Sequence, residues 1–145
     1  MALYTMVGLP GAGKSTFSKA HPQYLVIGLD AIREEIYGDE AILGDGYKVW
    51  KIAVARIAQA LAEGKDVIYD ATNVTRRRRR NLIKRFSQTE HIAVYVSTPL
   101  EECKRRNRMR NRVVDEDYIN WCAERLTTPT IEEGFTQVII IYGGE

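Results

Sequence analysis

Residues 8–15 read Gly8-Leu9-Pro10-Gly11-Ala12-Gly13-Lys14-Ser15, which meets every fixed position of the pattern G-x-x-x-x-G-K-[ST]. The glycines at 8, 11 and 13 predict a backbone free to take positive φ and turn its N–H groups inward around an anion. Such a loop cradles the phosphates of a nucleoside triphosphate, with Ala12 and Thr16 in the same lining. Lys14 is then placed to reach the β- and γ-phosphates, and the Ser15 hydroxyl to meet Mg²⁺. The flanks agree with that reading. Ala2–Val7 is an apolar run of strand length, and Lys14–Ala20 can open a helix whose positive end faces the phosphates.

Outward from the loop, strand-like runs at Ala2–Gly8, Tyr24–Leu29, Val67–Tyr69, His91–Val96 and Gln137–Tyr142 alternate with helical patterns. Alternation of this kind predicts a three-layer α/β/α fold around a mainly parallel five-stranded sheet. After the Gly44-Asp45-Gly46 turn, Tyr47, Trp50, Val54, Ile57 and Leu61 recur at helical spacing, which predicts a helix with Trp50 in the core. Thr75 is placed to cap a helix whose buried stripe is Leu82, Ile83 and Phe86. Pro99 suits the first turn of another, running to about Arg112. A last helix starts near Asp115, with Tyr118, Trp121, Cys122 and Leu126 as its apolar side, and Thr127–Phe135 leads into the final strand.

The chain has 145 residues, 45% of them hydrophobic, enough for one core, so residues 1–145 are read as a single domain. No stretch reaches the length of a membrane span, and no leader-like segment opens the sequence, so a cytoplasmic protein with no membrane partner is expected. Cys103 and Cys122 belong to no metal-binding or disulfide pattern and are read as free thiols.

The net charge of +2 conceals an asymmetry. Between Arg76 and Arg112 stand 13 Lys/Arg against three acids, a net of +10, and the remainder carries −8. Such a concentration suits a phosphate-bearing partner beyond the nucleotide, although a charge run by itself also suits a solvated helix face. The five arginines at 76–80 wrap around a helix axis and cannot all face one ligand.

Neither D-x-x-G nor N-K-x-D occurs, which speaks against a switch GTPase. The strand ending Val67-Ile68-Tyr69-Asp70 is followed by Ala71, so the Glu with which motor ATPases activate water is missing. Transfer to a substrate hydroxyl is favoured over hydrolysis.

The P-loop with Thr16, Asp30-x-x-Arg33, Asp70-Ala71-Thr72-Asn73 and Arg106-Asn107-x-x-Arg110 together resemble the kinase domain of the bacteriophage-type polynucleotide 5′-hydroxyl kinases and their small P-loop relatives. The resemblance spans most of the chain. It implies that Asp30 is the general base for the acceptor hydroxyl and that Arg33 grips a substrate phosphate. It further implies that Arg110 stabilises the transferring phosphoryl group from an Arg-rich helical lid shared with Arg106, and that Asp70 supports substrate contacts. ATP or another nucleoside triphosphate and Mg²⁺ are the implied cofactors, and DNA or RNA the implied partner. Ala71 separates Asp70 from Thr72, which are adjacent in the best-known phage enzyme, so any of Asp70, Thr72 and Asn73 could face substrate. No D-x-D-G-T string occurs, so a fused phosphatase domain is not expected.

Residue chemistry points the same way. Asp30 falls at a strand's carboxyl edge, where open α/β sheets bind ligands, though Asp is also a favoured N-cap. Arg106 and Arg110, four apart on the expected helix, would share a face, and an anion between them would relieve their repulsion. Left open are a hydroxymethylated pyrimidine in DNA or a small metabolite as acceptor, and a nucleotide-dependent nucleic-acid-binding module without transfer.

Overall fold

β1 (Ala2–Val7) is buried along almost its whole length, as a strand covered on both faces must be. The computed structural model describes residues 1–39, 44–110 and 113–143. After β1 come α1 (Lys14–Ala20), β2 (Leu25–Gly28), α2 (Leu29–Tyr37), α3 (Gly46–Ala62), β3 (Val67–Asp70), α4 (Arg76–Arg85), β4 (Glu90–Ser97), α5 (Leu100–Arg108), α6 (Glu116–Arg125), a short 3₁₀ turn (Ile131–Glu133) and β5 (Gln137–Tyr142). The sheet has the order β2-β3-β1-β4-β5, and all four pairings are parallel. Every strand therefore ends on the same edge. The order reverses around the central β1, so its loop lies at the switch point where ligands of such sheets bind.

Alternate strand residues feed two cores. Leu3, Val67 and Tyr69 pack with Ile32 of α2, with Val49, Ala53 and Ile57 of α3, and with Leu82 of α4. Met6, Ile68, Val94 and Val96 pack on the other face with Cys103 of α5 and Cys122 of α6. These faces give the three layers.

The expected elements form, with instructive shifts. Leu29, expected to close β2, begins α2, and Asp30 lies in that helix's first turn behind an N-cap at Gly28, so Asp30 is not the cap. In α3 the buried residue near the start is Val49; Trp50 is half-buried, its ring 5.3 Å from the Arg85 guanidinium. α5 ends at Arg108 and does not extend toward Arg112, a residue outside those described. The cause is Asn107: fully buried, it donates to the Val114 carbonyl at 2.7 Å and accepts from the Val114 N–H at 2.9 Å. That pair of bonds turns the chain back toward α6, and the Arg108–Glu116 ion pair closes the same loop. Among the described residues, no helix is long and apolar enough to cross a membrane.

Candidate active site

The phosphate loop emerges from β1 between two neighbouring strand ends. Gly8 donates its N–H to the Thr72 carbonyl at 3.0 Å. A Cβ on Gly8 would meet the Val96 carbonyl at 3.1 Å, so close approach, and not a positive φ, is what requires glycine there. Gly11 (φ +84°) and Gly13 (φ +104°) do take the left-handed backbone expected of the loop, and a Cβ on Gly11 would sit 2.7 Å from the Cys103 carbonyl of α5. The Ala12 carbonyl is held from beneath by the Thr98 hydroxyl at 2.7 Å and by Arg106 Nη1 at 3.1 Å.

Lys14 lies over the loop and donates to the carbonyls of Gly8 (3.0 Å) and Leu9 (2.9 Å). Burial pushes its pKa down, while Asp70 and then Asp30 pull it back up. Burial raises Asp70 above the usual carboxylate range against the opposing charge of Lys14, and Asp30 adds to the rise. Lys14, Asp70 and Asp30 thus form one electrostatic unit although they come from α1, β3 and α2. Gly28 stands opposite Asp70 in the ladder, and a Cβ there would reach the Asp70 Cβ at 3.4 Å, so glycine leaves that carboxylate its room.

Asp30 is the open member, its side chain 70% exposed, with Oδ1 accepting from Arg33 Nη1 at 2.8 Å. Arg33 is mostly covered, and its Nε is buried without a partner. Its charge also acts on Tyr69 and Tyr118. Ser15 and Thr16 are exposed in the first turn of α1. The hydroxyl of Ser15 and the carboxylates of Asp70 and Asp30 are hard oxygen donors that suit Mg²⁺, which takes one or two carboxylates and completes its shell with phosphates and water. No cluster of three or more His, Cys, Asp or Glu able to hold a metal occurs among the described residues.

A model of the AAA domain family matches residues 3–129. This chain belongs to that family. The L-seryl-tRNA(Sec) kinase of Methanococcus maripaludis is 30% identical over 146 residues, covering 88% of this chain and 53% of the relative, so the chain spans about half the length of that curated protein. A chain of the Pnkp1/Rnl/Hen1 RNA repair complex superimposes with a TM-score of 0.77 at 21% identity, over 86% of this chain and 43% of the other. A Chloroflexus aurantiacus protein provisionally described as a kinase gives 0.74 at 16% identity, over 99% of this chain and 88% of the other. At such identities these two structures show the fold, the three-layer P-loop kinase fold.

Within this AAA-domain chain, the remaining expected residues separate into two groups. Arg106 faces the loop, but each of its three guanidinium nitrogens is engaged: Nε with Glu102 at 3.0 Å, Nη1 with Ala12 and Nη2 with the Gly143 carbonyl. It braces the phosphate loop. Arg110 does not share its face, because α5 has ended; it is exposed in the bend that follows. Thr72 is half-buried beside Tyr118 and Cys122. Asn73 is buried, at φ 46°, and its amide donates to the Met6 carbonyl at 2.8 Å. That amide fastens the β3–α4 turn to β1.

Sequence reading missed Arg79. Fully buried, it donates to Glu133 (2.8 Å), to the carbonyls of Asn73 and Val74 (both 3.0 Å) and to the Thr127 hydroxyl (2.9 Å). Two signals were legible. Arg79 precedes Leu82, Ile83 and Phe86 by three, four and seven residues, on the same helix face, and Thr130-x-x-Glu133 is a capping box, which the structure contains.

Proposed function

We propose that this domain transfers the γ-phosphate of a nucleoside triphosphate, ATP before others, to a hydroxyl of a nucleic acid, foremost a polynucleotide 5′-OH end. The observation that carries this reading is an open carboxylate, Asp30, that shares the mouth of a phosphate loop with half-buried Lys14 and Asp70, whose charges act on one another. Asp30 accepts the acceptor's proton as its oxygen forms a bond to the γ-phosphorus and the bond to the departing nucleoside diphosphate breaks. Lys14 gives up two backbone carbonyls for phosphate oxygens, which make stronger charge-assisted bonds. Arg33, whose Nη1 donates to Asp30 Oδ1, orients the base and is the cation assigned to a substrate phosphate. Arg106 keeps the loop rigid, and exposed Arg110 is the lid cation free to meet the phosphoryl group. Mg²⁺, held through Ser15 and Asp70 with the phosphates, would offset their charge.

Support for a polymer acceptor comes from the net of +10 between Arg76 and Arg112 and from the names of two relatives, one a tRNA kinase and one an RNA repair complex. The test is transfer of labelled γ-phosphate to 5′-OH DNA, 5′-OH RNA, seryl-tRNA, hydroxymethyluracil DNA and small metabolites in parallel. Label is expected on 5′-OH oligonucleotides, with log affinity falling against log salt by about 0.7 for each phosphate neutralised on a single strand. Label confined to a neutral metabolite, together with a slope near zero, would leave a metabolite kinase. Binding without transfer would leave a binding module.

A further inference from the structure

We propose that Tyr118, Trp121, Arg78 and Arg125 form the surface that receives the single-stranded 5′ end of a polynucleotide acceptor as it leaves the reacting centre. The inference rests on the nucleic-acid reading above and adds to it a place and a mode of binding. Tyr118 and Trp121 stand three apart on α6 with rings nearly parallel, 13° between planes and 6.1 Å between centroids. Tyr118 starts the surface at the active site: its hydroxyl is a neighbour of Cys122 and Thr72, and the Arg33 charge acts on it. Tyr118 is nonetheless 37% exposed as a residue, which leaves it accessible to a planar ligand.

Cations border the pair. The Arg78 guanidinium lies 5.8 Å from the Trp121 ring centre and that of Arg125 lies 4.0 Å from it, one from α4 and one from α6. Arg125 has the exposed Glu124 at 3.7 Å. Arg78 is exposed and makes no ion pair among the described residues, so its charge is left for a ligand. Arg78 also acts electrostatically on Tyr69 at the end of β3, next in sequence to Asp70. Aromatic rings bordered by two guanidinium groups, that of Arg78 without an ion pair among the described residues, match the alternation of a single strand, whose bases stack on the rings while its phosphates meet the cations.

The probes are short single-stranded thymidine and uridine oligonucleotides with 5′-hydroxyl ends. Tyr118→Leu should raise KM for both by roughly five- to hundredfold, the loss of one stacked base. Tyr118→Phe, which keeps the ring, should restore the wild-type value. Arg78→Ala should raise the same KM and flatten its salt dependence by about 0.7. KM for ATP and the thermal midpoint should not move in any of the three, which separates binding from folding. If the wild type phosphorylates oligonucleotides and both Tyr118→Leu and Arg78→Ala keep its KM and salt slope, the surface is wrong and the nucleic-acid reading stands. If the wild type neither binds nor phosphorylates oligonucleotides but does phosphorylate a small metabolite, both fall together.

Discussion

Asp30→Asn is expected to lower turnover by about 10² to 10⁴ while nucleotide affinity stays close to wild type, the usual span for removal of a general base. The geometry makes the substitution a clean one. Asp30 is not the helix cap, so no backbone bond depends on its charge, and the amide oxygen of Asn can still accept from Arg33 Nη1. What disappears is the proton acceptor at the open end of the Lys14–Asp70–Asp30 unit. Single-turnover transfer measured beside nucleotide affinity distinguishes the alternatives. A fall in rate alone identifies the base; an equal fall in both would make Asp30 a residue of the nucleotide or metal site.

The largest expected effect on stability belongs to Arg79→Met, about 3–5 kcal/mol, because it leaves the Glu133 carboxylate buried without its partner. It also strips donors from two carbonyls that are shut away from bulk water, and from the Thr127 hydroxyl on a more exposed residue. Arg79→Lys should recover only part of the loss, since one ammonium cannot span a carboxylate, two carbonyls and a hydroxyl set around a planar fork. Urea unfolding measures all three proteins. A loss below about 1 kcal/mol for Arg79→Met, the worth of an ordinary hydrogen bond, would show that the site relaxes or admits water. The consequence reaches the active site, because Arg79 holds the Asn73–Val74 backbone, and the preceding Thr72 carbonyl accepts the first N–H of the phosphate loop.

Much of the candidate site could be read from spacing. The phosphate loop, the strand before it and the helix after it are local features, and Asp70 and Asp30 fall at a strand end and in a first turn where the α/β alternation puts them, with Arg33 three residues further along α2. The lid was less legible. Arg106 and Arg110 look equivalent four residues apart, yet a buried hydrogen-bonded pair between Asn107 and Val114 stops the helix between them. One arginine becomes a brace for the loop and the other is left exposed. Asn73, quoted beside Asp70 and Thr72, turns inward to Met6.

The sequence by itself determined that a strand, a glycine-rich phosphate loop and a helix follow one another, that parallel β/α units enclose them, and that cations crowd one stretch of chain. Those properties depend on local backbone freedom, on hydrophobic period and on counting charges, which need no knowledge of distant residues. Only the tertiary structure decided which of the five consecutive arginines is buried, because that depends on Glu133, 54 positions away, arriving at the same point. It alone brought Lys14, Asp30 and Asp70 into mutual electrostatic range and set Trp121 of α6 beside Arg78 of α4. Charges that are solvated and independent in an extended chain acquire their roles when folding removes the water between them and fixes their neighbours.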